Sequence, residues 1–103
     1  MYRVSVMYPN REGAKFDVDY YRTNHAALVK KLLTPFGLIK MEVDKGLSGG
    51  GGLPAPYLGV GQLYFDTADG YDRGVAEVGP TLRGDITNFT NVTPVRLISE
   101  ILD

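Results

Sequence analysis

Cysteine and tryptophan are absent from this 103-residue chain, and histidine occurs once, at position 25. Without cysteine there is neither a disulfide framework nor thiol chemistry, and a single histidine leaves no zinc site of the usual kind, so no metal ligands are assigned. An excess of positive charge is also missing. Eleven basic residues against twelve acidic ones give a net charge of −1, and the pI is near 5.7. No field is present to hold a phosphate backbone or an anionic bilayer, which argues against nucleic acid and membrane as partners. The opening MYRVSVMYPNREG lacks a charged start followed by an apolar run, and no window approaches the length of a membrane span. A cytoplasmic location is the expectation. What the chain does have, 44% hydrophobic and 11% aromatic residues, suffices for one compact domain over residues 1–103 with a small core.

Hydrophobic periodicity orders the elements. YRVSVMY alternates, with Tyr2, Val4, Val6 and Tyr8 facing one way and Arg3, Ser5 and Met7 the other, the period of a strand. Asp17 suits a helix N-cap, and Phe16 before it can staple onto Tyr21. Tyr21, His25, Leu28, Val29 and Leu32 recur at helical spacing, with Lys30 and Lys31 near the negative end of the dipole. The helix is expected to reach about Leu33, ahead of Pro35 and Gly37. LIKMEVDKG and PYLGVGQLYF read as two strands of a hairpin with LSGGGGLPA at its tip. Thr67 is suited to cap a second helix on which Ala68, Tyr71, Val75, Val78 and Leu82 recur. Gly70 and Gly74 each cost it roughly 1 kcal/mol of propensity, so it must lean on packing, and Gly79-Pro80 is expected to kink or end it. RGDITNFTN reads as a loop, and TPVRLISEIL as a final strand in which Val95, Leu97 and Ile101 alternate with Arg96 and Glu100.

This order gives an α+β fold of the ferredoxin-like βαββαβ type, a four-stranded antiparallel sheet with both helices on one face. The other face receives no cover from the chain. Strands one and three nevertheless carry apolar groups on both sides: Val4, Val6, Leu58 and Val60 on one alternation, and Met7, Tyr57, Leu63 and Phe65 on the other. A bare apolar face of that kind calls for a partner, and a homodimer packed sheet against sheet is the expectation.

His25 shares its stripe with Tyr21 and Val29, four residues to either side, and so points toward the sheet. Two readings stand: a core histidine bonded to a carbonyl or a tyrosine, or a general acid or base facing a pocket between helix and sheet. Tyr21 is a candidate hydrogen-bond or oxyanion donor beside it, with the staple to Phe16 as its structural role. Adjacent helical residues point about 100° apart, so Tyr20 is not expected on that face. Asp85 and Asn88 are residues that cap turns; alternatively Asp85 orients the imidazole and Asn88 positions a carbonyl or hydroxyl of a ligand. Phe89 and Tyr57 belong to the core or line an apolar pocket as ligand contacts. SGGGG at 48–52 leads into a strand rather than a helix and carries no lysine, which excludes a phosphate cradle.

Taken together, YP at the end of the first strand, FDVDYYRTNHAALV, GLPAPY, FD after the third strand, and DITNFTNVTP resemble the EthD family of the dimeric α+β barrel superfamily. The chain departs from the family in HAALV, where many relatives carry a proline in an HxPLV-like run. The resemblance implies the same protomer and dimer, and it favours the chemical reading of His25. The family takes its name from a gene linked to ethyl tert-butyl ether degradation, and the wider superfamily holds cofactor-independent oxygenases, cyclases, isomerases and haem-handling enzymes. The expectation is therefore a small enzyme, an oxidoreductase or a lyase or cyclase, that needs no cofactor. In it His25 would move a proton on a small oxygenated or aromatic compound. Two alternatives remain: a non-catalytic protein that binds a small molecule, and a haem protein with His25 as proximal ligand.

Overall fold

The computed structural model describes residues 1–103. Four strands, β1 (Tyr2–Pro9), β2 (Leu38–Lys45), β3 (Tyr57–Phe65) and β4 (Val95–Glu100), form one sheet in the order β2-β3-β1-β4. All neighbours are antiparallel. With one helix between β1 and β2 and another between β3 and β4, this is the ferredoxin-like α+β arrangement.

The first helix begins as its sequence dictates. Asp17 sits at the N-cap and its carboxylate accepts from the Tyr20 amide at 3.1 Å. The Phe16 and Tyr21 rings meet with centroids 4.9 Å apart, which is the hydrophobic staple. The helix then departs from regular geometry. Val18–Tyr20 is α-helical, Tyr21–His25 forms a π-helical turn, and Ala26–Leu33 is α-helical again. A short 3₁₀ turn, Thr34–Phe36, closes at Gly37, whose φ of 97° places it in the left-handed region.

The second helix spans Gly70–Ile86, starting beyond Thr67, with Asp69 at the N-cap position. It runs through Pro80 where an interruption was expected. Pro80 and Ala76 both face solvent, so the Ala76 carbonyl that loses its helical partner is open to water. Gly70 and Gly74 are buried, and a Cβ on Gly74 would lie 2.6 Å from Leu33 Cδ2. The glycines thus let the second helix approach the end of the first, which offsets their low propensity.

Register corrects the expected division of β3. Val4 opposes Leu63 and Tyr2 opposes Phe65, so Leu63 and Phe65 share the helix-covered face with Val4, and Val60 lies with Met7 on the open one. On the covered face β3 presents Gly59 and Gly61, which make room for Phe16 and Tyr21. The core has two parts. One gathers Val4, Val29, Leu33, Leu63 and Phe65 under the helices, and the other gathers Tyr8, Tyr21, Phe89 and Val92 at one end of the sheet. The open face carries Met7, Val60, Val95 and Leu97 at that same end. Elsewhere it is polar, with Ser5 bonded to Gln62 at 3.0 Å and Arg3 over the Tyr64 ring.

Candidate functional site

The segment following the second helix is pinned beneath the start of the first. The Asp17 amide donates to the Phe89 carbonyl at 2.7 Å, Thr90 Oγ1 donates to the Lys15 carbonyl at 2.7 Å, and Asn91 Oδ1 accepts from the Lys15 amide at 2.8 Å. Asp85 belongs to the last turn of the helix rather than to a loop, because the helix continues past Pro80. These ties bring Asp85 and Phe89 against His25 across 60 and 64 residues of sequence (85 − 25 and 89 − 25).

His25 is 4% exposed. Its Nδ1 lies 2.8 Å from Asp85 Oδ2, and the Phe89 ring packs against it with centroids 4.6 Å apart. Asp85 Oδ1 accepts from Tyr20 Oη at 2.7 Å and from Asn88 Nδ2 at 3.0 Å. Burial alone would raise the Asp85 carboxyl, but the bonds from Tyr20, His25 and Asn88 outweigh it and hold the group below its ordinary value. Burial lowers the imidazole of His25, and the bond to Asp85 opposes this without reversing it. At neutral pH the pair is therefore a carboxylate and a neutral imidazole. A carboxylate only accepts, so the imidazole proton sits on Nδ1 and Nε2 carries the lone pair. No protein group bonds Nε2.

The ring borders a cleft of about 40 Å³ between the two helices and the sheet, walled by Val29, Leu33, Leu63 and Leu82 and bordered also by Tyr8, Tyr21 and Arg96. Tyr21 is 2% exposed, and its hydroxyl is buried without a hydrogen-bond partner. Burial raises the phenol of Tyr21 well above its usual range, and that of Tyr8 likewise, so both are neutral O–H groups. A buried hydroxyl left unpaired costs about 1–3 kcal/mol, so a ligand oxygen at Tyr21 would recover a bond the folded chain forgoes.

Of the residues expected at the site, His25, Tyr21 and Asp85 are brought together. Asn88 holds Asp85 and Tyr20 instead of facing the cleft. Phe89 backs the imidazole and lies outside the cleft walls. Tyr57, expected as a ligand contact, opens β3 beside Pro9 and does not border the cleft, since the Leu63 end of that strand forms the wall. A haem does not fit beside His25, because 40 Å³ is far smaller than the macrocycle. Tyr20, expected off the face of His25, reaches the site through Asp85, and Arg96 was read only as a residue of the last strand. Parity along β4 was the available signal for Arg96: it opposes Val6 and so faces the helices.

The sequence profile described as the EthD domain matches residues 13–93. An EthD-like protein from Ralstonia eutropha has 35% identity to the chain, covering 99% of it and 92% of the relative, with a TM-score of 0.91. An EthD family protein from Bacillus halodurans has 20% identity over 99% of each chain and a TM-score of 0.73. A dimeric ferredoxin-like protein from an uncultured marine organism shares the fold at 12% identity, with a TM-score of 0.56 over 100% of this chain and 96% of that one. No protein with a curated description matches. No helix is long and apolar enough to cross a membrane.

Proposed function

We propose, for a chain that belongs to the EthD family, that it is an enzyme in which His25 takes a proton from carbon next to a carbonyl group. The observation that carries this is the pairing of His25 Nδ1 with Asp85 Oδ2 at 2.8 Å, which leaves Nε2 unbonded on a ring that borders a cleft. A neutral imidazole whose proton is fixed on Nδ1 is a base at Nε2. Asp85 then stabilises the imidazolium that forms, as in other His-carboxylate pairs. The hydroxyl of Tyr21 supplies a donor for the enolate oxygen, in surroundings where one such bond is worth more than in water.

The chemistry balances without a further reactant. The C–H bond breaks, its electron pair passes to the carbonyl oxygen as an enolate, and the proton rests on Nε2 until it returns to carbon or oxygen. Isomerisation and cyclisation share this first step. The cleft has room for roughly one or two waters, so it admits the reacting end of a molecule rather than a whole aromatic ring.

Deuterium exchange tests the step without knowledge of the full reaction. In D₂O, the protein should accelerate loss of the α-proton signals of methyl ketones such as levulinate and its methyl ester, followed by NMR, and His25→Asn should abolish the acceleration. Binding of these ketones without exchange would instead describe a carrier, and exchange that survives in His25→Asn would remove the imidazole from the mechanism.

We further infer that the protein assembles as a homodimer through the open sheet face. Met7, Val60, Val95 and Leu97 give the open sheet face an apolar end, with Val95 49% and Leu97 55% exposed in the single chain. The dimeric description of a ferredoxin-like relative supports that assembly.

A further inference from the structure

Resting on the proton-transfer reading, we propose that the compound taken by the site is a carboxylate anion, its charged end held by Arg83 and Arg96 in the groove beside β4 and its carbonyl end inserted at His25. The two spaces adjoin. A groove of about 310 Å³ runs between the end of the second helix and the start of β4, and it shares Ile86 and Arg96 with the 40 Å³ cleft. The cleft by itself is too small for most metabolites, whose sites are typically on the order of 300–1,000 Å³, so the rest of any ligand must lie in a space that adjoins it.

Charge decides what that space accepts. Neither the cleft nor the groove is lined by Asp or Glu. The ion pairs of the molecule are Arg22 with Asp19, Arg73 with Asp69, and His25 with Asp85. Arg83 and Arg96 enter none of them, although both border one recess beside Tyr71. Asp85, the carboxylate of the site, has its oxygens taken by Tyr20, Asn88 and His25.

Arg96 is held in place by its Nε, which donates to Tyr71 Oη at 2.8 Å, leaving its terminal nitrogens without protein partners. Arg83 folds back along its own helix over Gly79, where a Cβ would lie 2.8 Å from Arg83 Nη1. Two like charges gathered without a counterion match a carboxylate, and a guanidinium offers it paired donors.

The test compares levulinate and its longer-chain homologues with their methyl esters, following binding through protein amide and arginine Nε–H NMR signals. The acid of suitable length should bind about ten- to a hundredfold more tightly than its ester. That preference should fall several-fold in Arg83→Gln, which leaves the Arg96 bond to Tyr71 untouched, and vanish in the Arg83→Gln, Arg96→Gln double variant. Arg96→Lys should retain part of it, and His25→Asn all of it. Equal binding of acid and ester, no binding of any acid, or an undiminished preference in a folded double variant would overturn the proposal. Acid preference without deuterium exchange would overturn the proton-transfer reading and leave the anion site standing; equal exchange of acid and ester would do the reverse.

Discussion

Tyr21 separates a functional role from a packing role because its ring and its hydroxyl do different things. The ring is stapled to Phe16 and packs on Tyr8, while the hydroxyl bonds nothing. Tyr21→Phe should therefore leave the free protein as stable as before, or more stable by up to about 1–3 kcal/mol in chemical denaturation. The same change should slow α-proton exchange by roughly 10²-fold, as loss of an oxyanion donor does. A variant destabilised and fully active would place the hydroxyl outside the chemistry.

His25 makes a second prediction, since no other side chain of this protein has its ordinary titration between pH 5 and 7. Its folded pKa lies below the unfolded value of 6.5. Between those values the unfolded chain binds more protons than the folded one, so stability rises with pH across that window. The contribution is complete above pH 6.5 and is lost as pH falls through the folded value. Denaturation at a series of pH values should show a slope of at most about 1.4 kcal/mol per unit there, absent in His25→Asn. A fall in stability on raising the pH through the window would contradict the lowered pKa. Asp85, also lowered, adds acid lability below its ordinary value of 3.8.

The two helices show where reading by period succeeds and where it stops. Cap, staple and buried stripe of the first helix were all visible in FDVDYYRTNHAALV, because each depends on neighbours in the chain. The π turn was not. In a regular helix, residues five apart point about 140° away from each other, which separates Tyr20 from His25. The Ala26 amide reaches back to the Tyr21 carbonyl, and this wider turn brings Tyr20 and His25 onto a common partner, Asp85. The second helix was misjudged at its end for a related reason. Whether Pro80 breaks a helix depends on what the freed carbonyl can meet, and solvent on that side was not legible from the residues alone. Packing against the first helix gives a clear test. Gly74→Ala gains about 1 kcal/mol in propensity but drives a methyl into Leu33, which is fully buried, and overpacking typically costs 1–3 kcal/mol. The variant should unfold at lower denaturant than the native protein; a rise in midpoint would mean that the helices separate freely.

For the whole molecule, alternation and element order were enough to specify the sheet, since a half-buried antiparallel strand exposes its period directly. The facing of β3 was not legible. Tyr57, Leu58, Val60, Leu63 and Phe65 are apolar on both parities, and the register with β1 selects which set meets the helices. The open face has the complementary test. Leu97→Lys places a charge at its apolar end, and light scattering should show the native protein at twice the mass of the variant. A native monomer at micromolar concentration would exclude the sheet-to-sheet pair. That assembly leaves the site on the opposite face, so the chemistry of His25 is open to study in either state. Because the protein has one histidine, ¹⁵N-histidine labelling yields an NMR spectrum of that ring alone, giving its tautomer and its pKa together. A ring protonated on Nδ1, with a bare Nε2 at neutral pH and a pKa below 6.5, is the predicted result. A proton on Nε2, or a pKa above 6.5, would contradict the account.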